Sequence, residues 1–294
     1  RNTELIGDIY WDKEFSETIY QFKENLNISE AHLTGGEPSL HPNLSQLISN
    51  IKGNGIRVKM TSIGCPPEKL SEIILSGIDG INFSFHALNH KSLLQTQTDR
   101  SIGWAKKQAI QQLESILLAK KSNVNLKLNT IVSNRNDHDR VVEVIGWAKQ
   151  NNLKLSLLAE LSNPKTSWDA TLDICNSVQA KEISRNSVAG GANSTIFFQT
   201  SDKFTFEVKY KNPVFLEKTM CGYCELKKSG KCVENFYGIR LEKRRDSTGK
   251  WGLYVRLCLY RTDTNTYIPI SKFFSSSQYF EIKDMFTKPV SEII

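Results

Sequence analysis

A chain of 294 residues with 39% hydrophobic and 23% charged residues can bury one substantial core, which excludes a short disulfide-stapled fold, a disordered chain and a membrane-embedded one. No run approaches the roughly 18–20 consecutive apolar residues that span a bilayer, and the opening Arg1-Asn2-Thr3-Glu4 is not a signal peptide, so a cytoplasmic protein without membrane partners is expected. Thirty-eight basic against 31 acidic residues give a net charge of +7, which suits an anionic ligand but does not by itself imply nucleic acid.

From Trp11 to about Leu161 one unit recurs: an amphipathic helical run, a short polar connection, then a β-branched or apolar run. Phe15, Ile19, Phe22 and Leu26 mark the first helix; Leu44, Leu47, Ile48 and Ile51, stopped by Gly53, the second; Leu70, Ile73 and Ile74, stopped by Gly77, the third. Further helices are predicted over 102–120 and 137–150, with Trp104 and Trp147 as core residues. Strands are predicted over 30–34, 56–62, 80–85, 124–132 and 153–158, each mostly apolar, as strands between covering helices and a packed interior would be. Their C-terminal ends carry Thr34, Thr61-Ser62, Ser84, Asn129 and Glu160, and in a barrel of parallel strands that rim is where ligands bind. After about Pro164 the array is expected to end in a Ser/Asn-rich stretch over 184–194 containing Gly190-Gly191. Strands over 194–199 and 204–210 follow, and a smaller module begins near Asn212. The fold class is therefore α/β, with a partial barrel over 1–211 and a cysteine-bearing module over 212–294.

Four of the six cysteines, Cys221, Cys224, Cys232 and Cys258, fall within one short stretch, whereas Cys65 and Cys175 stand alone. Such clustering in a chain of this kind favours metal over disulfides. A Cys-x2-Cys pair can ligate one metal, with the remaining ligands from a distant hairpin; a structural zinc ion and an iron–sulfur cluster both remain open on spacing alone. His32, His41, His86, His90 and His138 are dispersed without a metal-binding pair, and no nucleophile elbow or P-loop is present. His86, just past the fourth strand at the rim, is a candidate substrate contact.

Leu33-Thr34-Gly35-Gly36-Glu37-Pro38 follows a predicted strand and precedes a helix. Adjacent glycines let backbone amides and carbonyls approach a ligand directly; Glu37 adds a fixed acceptor and Pro38 sets the exit. The tetrapeptide resembles the GGEP motif of the radical S-adenosylmethionine (SAM) superfamily, which holds the amino group of SAM. The resemblance continues in order: Thr61-Ser62-Ile63-Gly64 at the third strand end, Ile81 to Phe85 at the fourth, Leu128-Asn129-Thr130-Ile131-Val132 at the fifth and Leu157 to Leu161 at the sixth. The nearest family is the GTP cyclase of molybdenum-cofactor biosynthesis and its relatives. The resemblance implies SAM bound by Gly35, Gly36, Glu37, Pro38, Thr61, Ser62, Ser84, Asn129 and Leu158. It also implies an auxiliary [4Fe-4S] cluster on Cys221, Cys224 and Cys258, with Cys232 as a fourth ligand or a bystander. A small-molecule substrate and an electron donor such as flavodoxin or ferredoxin are the implied partners.

Departures from that family bear on substrate. Its Arg-x-Arg reads Gly238-Ile239-Arg240, the residues before the Gly-Gly motif read Glu30-Ala31-His32, and the chain ends Val290-Ser291-Glu292-Ile293-Ile294 in place of Gly-Gly. GTP cyclisation is therefore not expected. Arg240, Arg244, Arg245 and Arg256 remain candidates for an anionic, nucleotide- or sugar-like substrate. The Cys-x3-Cys-x2-Cys loop that carries the first [4Fe-4S] cluster in such enzymes is absent, no cysteine preceding Cys65, and the expectation is that a longer protein supplies it. The alternatives are a peptide-modifying maturase and a SAM- or nucleotide-binding scaffold that has lost its catalytic cluster.

Overall fold

The computed structural model describes residues 6–160, 162–187, 193–211, 219–230, 232 and 238–287. Leu161, the Gly190-Gly191 pair, the expected module start at Asn212 and the terminal 290–294 lie outside them. The chain divides into two compact units, 29–186 with 195–210, and 1–28 with 187–194 and 211–294. Residues 1–28, which the sequence pattern assigns to the barrel, are thus grouped with the cysteine-bearing segment.

In the first of these units, strands β2 (Glu30–Leu33), β3 (Arg57–Ser62), β4 (Gly80–Ser84), β5 (Asn125–Val132) and β6 (Lys154–Ala159) pair in sequence, all parallel. Their connections are α2 (Leu44–Gly53), α3 (Pro67–Leu75), α4 (His90–Thr96) with α5 (Ile102–Lys121), and α6 (His138–Gln150). Beyond β6 lie α7 (Pro164–Ser177), β7 (Lys181–Ser187), β8 (Asn193–Gln199) and β9 (Thr205–Lys211). The sheet runs β2-β3-β4-β5-β6-β9-β8-β7, and β9 joins β6 in parallel. This is the expected partial α/β barrel sheet, with every predicted strand present and its ends shifted by a residue or so.

Two expectations need correction. The array continues past Pro164 through α7 and β9. Helix α7 escapes a reading of apolar periodicity because it buries Ser167, Ala170, Thr171, Ile174 and Cys175, a face made mainly of small and polar side chains. Ser167 Oγ accepts from Glu160 N at 2.8 Å and donates to Val132 O at 2.5 Å, tying α7 to the ends of β5 and β6. The second correction concerns the interior. Val58, Met60, Ile81, Phe83, Leu128, Leu155 and Leu157 are buried on one face of the sheet, and a large apolar side chain so placed contributes roughly 1.5–3 kcal/mol. The alternate residues Lys59, Thr61, Asn82, Ser84, Lys127 and Asn129 are only half-buried, so the other face is polar and not a packed apolar interior.

In the second unit, α1 (Lys13–Leu26) starts at Asp12, whose carboxylate accepts from Phe15 N at 2.8 Å, and stops at Asn27 in the left-handed region with φ 49°. It buries Phe15, Ile19, Phe22 and Leu26, with Phe22 against Phe273 and Phe274. Strands β1 (Ile6–Gly7), β10 (Arg240–Arg245), β11 (Trp251–Arg256) and β12 (Tyr267–Pro269) form an antiparallel sheet, followed by α9 (Ile270–Phe273) and α10 (Ser277–Thr287). A short helix, α8 (Glu225–Lys228), precedes that sheet. The β10–β11 turn is set by Asp246, which accepts from Thr248 N and Lys250 N at 2.8 and 3.0 Å, and by Gly249 at φ 85°.

Removing the Ser167 hydroxyl leaves the Val132 carbonyl and the Glu160 amide with only their mutual hydrogen bond at 3.2 Å. Ser167→Ala is expected to destabilise the protein by about 1 kcal/mol in urea unfolding, whereas the exposed Ser184 changed to alanine shifts the midpoint little.

Candidate functional site at the C-terminal rim of the parallel sheet

The Gly35-Gly36-Glu37 segment leaves β2 at its C-terminal end. Gly35 has φ 153°, and a Cβ added at either glycine would meet nothing within 4 Å, so this backbone faces open space. Below it, the Glu37 carboxylate is held by four donors: Oε1 accepts from Ser39 N at 3.1 Å, Ser39 Oγ at 2.7 Å and Ser62 Oγ at 2.7 Å, and Oε2 accepts from Ile63 N at 2.8 Å. Pro38 opens the single 3-10 turn, Pro38–Leu40, that Glu37 caps. Buried Ser62 also accepts from Gly64 N at 2.9 Å, so Glu37 and Ser62 lock the glycine loop to the end of β3.

Helix α5 supplies residues that the sequence pattern did not single out. Gln108 Nε2 donates to Ile63 O at 2.6 Å, Gln111 to Gly64 O at 3.0 Å, and Gln112 to Ser84 O at 2.7 Å and Ile63 O at 3.1 Å. Gly64, at φ 94°, lets the helix approach: a Cβ there would lie 3.1 Å from Gln112 Cα. Three glutamines on one helix face are the signal available in the sequence, an amphipathic pattern in which the buried side carries amides. Asn129 sits beside Ser84 in register on β5, and its Oδ1 is buried with no partner, an acceptor held ready for a donor. Leu158 lies between Ile131 and Lys209 in register.

The polar face of the sheet gathers charges that were also not anticipated. Lys59 pairs with Glu30 at 2.8 Å, and Lys127 with Glu207 at 2.7 Å. His32 Nε2 lies 2.8 Å from Thr61 Oγ1, which engages that rim hydroxyl. Partial desolvation, with Glu30 opposing and Lys59, Lys127 and Lys209 adding, holds the His32 pKa below its usual value. Burial pushes the Glu207 carboxyl up, but the Lys127 hydrogen bond together with the Lys127 and Lys209 charges holds it below the usual range.

In the other unit, Cys221 closes a 3-10 turn and Cys224 caps α8, with Cys224 N donating to Cys221 O at 3.0 Å. Arg256 donates to Cys258 O at 2.9 Å, to Leu259 O and to Glu242 Oε1 at 2.9 Å, so its guanidinium shapes the Cys258 loop. Arg261 bonds the Met220 carbonyl and pairs with Asp263 at 2.7 Å; Asp263 raises its pKa, and the nearby Cys224 and Cys258 add to that. Arg240 is half-buried opposite Arg256 on β10. All six cysteines are thiols. Burial pushes Cys65 up to about 11 and Cys175 up to about 12, which makes both unreactive core residues. Among the described residues no group of three or more His, Cys, Asp or Glu side chains is placed to hold a metal ion.

Residues 7–148 match the radical SAM superfamily. That match covers just under half of the chain. It is 25% identical over 169 residues to a probable GTP 3',8-cyclase of Pyrococcus horikoshii, covering 56% of this chain and 51% of that one. It is 32% identical over 134 residues to a probable GTP 3',8-cyclase of Saccharolobus islandicus, covering 44% and 41%. The chain thus spans about half the length of these relatives. The solved structure of native anSMEcpe with bound AdoMet and Cp18Cys peptide aligns over 96% of this chain and 76% of that one, with a TM-score of 0.54 and 14% identity, a likeness of fold. No described helix is long and apolar enough to cross a membrane.

The rim fits SAM chemically: open glycine backbone, an unpartnered Asn129 side-chain carbonyl, and one Glu37 oxygen with a single donor. The four clustered thiols are of the right chemistry for an iron–sulfur cluster, although no three of them are gathered for a metal among the described residues.

His86 is committed within the unit. Ile131 N donates to its Nδ1 at 3.4 Å, and Arg140 bonds its carbonyl. Burial, reinforced by Arg140 and opposed by Asp137, lowers its pKa to about 4, so the ring is neutral near pH 7. Because the folded pKa lies below the unfolded 6.5, the unfolded chain binds more protons between the two values. His86 thus contributes stability that is fully present above pH 6.5 and is lost as pH falls toward 4, by at most about 1.4 kcal/mol per pH unit. Unfolding measured across that window should show this slope in the native protein and a flatter one in His86→Gln.

Proposed function

We propose that this chain is the SAM-binding part of a radical SAM enzyme that abstracts hydrogen from a small biosynthetic substrate and does not cyclise GTP. The observation that carries the reading is the Glu37 latch, which fixes the Gly35-Gly36 backbone over open space at the rim while Asn129 Oδ1 waits without a partner. Bound SAM, reduced by a [4Fe-4S] cluster, supplies a 5'-deoxyadenosyl radical and methionine. The chain's residues bind and orient. Gly35 and Gly36 present backbone groups, Glu37 Oε2 receives an amino group, Asn129 Oδ1 accepts a further donor, and Ser84, Thr61 and Leu158 line the adjoining strand ends. Ser62 and Pro38 hold the loop in place. Cys221, Cys224 and Cys258, with Cys232, hold an auxiliary [4Fe-4S] cluster, and Arg256 and Arg261 position the two segments that carry them. Flavodoxin or ferredoxin provides the electron.

Three features favour a substrate other than GTP. His32 and Glu30 stand where that family has basic residues, and Gly238 replaces one arginine of its pair. Arg256 is already occupied by the Cys258 loop and Glu242.

The anaerobic, reduced full-length protein is expected to release 5'-deoxyadenosine from SAM. Asn129→Leu is expected to raise the SAM concentration for half-maximal release about tenfold, as the loss of one buried hydrogen bond requires. Zinc in place of iron, or no deoxyadenosine from the iron-loaded full-length protein, overturns the reading and leaves a binding scaffold.

A further inference from the structure

The polar face of the parallel sheet carries three half-buried ammonium groups and two carboxylates. Glu30 lies 2.8 Å from Lys59 and 3.3 Å from the exposed Arg57, and Glu207 lies 2.7 Å from Lys127, so both carboxylates are already engaged. Lys209 has one ion-pair partner among the described residues, the same Glu207 at 4.0 Å, and that carboxylate is already engaged at the shorter distance. The Lys209 side chain is 31% exposed, and an ammonium drawn partly out of water without a dedicated counter-charge is costly. The same imbalance acts on its proton affinity: partial desolvation first, then Lys127, and more weakly Lys59 depress the Lys209 pKa against the opposing pull of Glu207.

Position adds to charge. Ser84, Asn129, Ser156 and Glu207 form one row across β4, β5, β6 and β9. Lys209 lies one step beyond it toward the C-terminal strand ends, in register with Leu158. It therefore lies on the rim side of the face, where Gly35 to Glu37 and the unpartnered Asn129 Oδ1 also lie. Lys127 cannot take the same part without giving up Glu207, and that ion pair fixes the carboxylate side of Lys209.

We infer that Lys209 is the anchor for a single acidic group, carboxylate or phosphate, on the substrate, an assignment that deepens the radical SAM reading and rests on it. One such anion gives Lys209 a counter-charge of its own. An ammonium is a point charge and accepts either group, so the chemistry of the acid is set by experiment.

The test is NMR of full-length protein labelled with 13C at lysine Cε, as isolated and without SAM. It is titrated separately with inorganic phosphate and with acetate at constant ionic strength. The Lys209 resonance is expected to shift saturably with one of the two, and the tighter-binding anion identifies the acidic group. Read at the Lys127 resonance, affinity should fall about tenfold or more in Lys209→Met, the loss of one charge-assisted contact, and should stay within about threefold in Lys209→Arg. No saturable shift at Lys209, or equal affinity in Lys209→Met, overturns the assignment. Because no SAM is cleaved in this measurement, its failure is distinct from a failure to release 5'-deoxyadenosine, which bears on the enzyme reading alone.

Discussion

One carboxylate organises the rim. Glu37 sits between a glycine loop that has no side chains to hold itself and the C-terminal end of β3. Its four donors, from Ser39, Ser62 and Ile63, convert two floppy segments into one surface. Charge-assisted hydrogen bonds of this kind contribute about 1.5–3 kcal/mol each when well made, which is enough to hold a loop whose glycines cost backbone entropy. Helix α5 completes the device from behind, its glutamine amides capping the Ile63, Gly64 and Ser84 carbonyls that the strands leave over. Those carbonyls are saturated from the helix side, so the rim can present other groups to a ligand.

The sheet below follows a similar division. Apolar residues facing the helices supply the burial that holds the strands, and the opposite face carries lysines, glutamates and a histidine in matched pairs. Such a face is stable because its charges are compensated locally, Lys209 most weakly, through the Glu207 carboxylate at 4.0 Å that Lys127 holds more closely. In the second unit Arg256 and Arg261 play a comparable structural part, bonding the carbonyls of Cys258, Leu259 and Met220 next to the thiol-bearing turns.

Much of this was legible from residues alone. The period of Leu44, Leu47, Ile48 and Ile51 and the run of Ile81 and Phe83 dictated helix and strand because burial demands those spacings. The Gly35-Gly36-Glu37-Pro38 motif marked the rim, since few other requirements place two glycines before a glutamate and a proline. What stayed hidden has a common cause: buried polar groups leave no apolar period. Ser167 and Thr171 concealed α7, Gln108 and Gln112 concealed the back of the site, and nothing in the spacing of Lys59, Lys127 and Lys209 marked them as sharing the polar face of the sheet. Partners for such groups come from distant strands, and pairing at that range is a property of the fold. His86, placed past the fourth strand by its sequence position, gains from Arg140 and Ile131 packed around it a neutral ring near pH 7, which position alone did not disclose.

The account stands or falls on Glu37 as an internal strut. Hydrogen exchange at the Ile63 and Ser39 amides, compared between the native protein and Glu37→Ala in the absence of SAM, reads that role directly. Loss of the strut predicts exchange faster by about tenfold or more at both amides, with the amides of β5 unchanged. Unchanged protection at Ile63 and Ser39 would contradict the claim and return the rim's order to some other interaction.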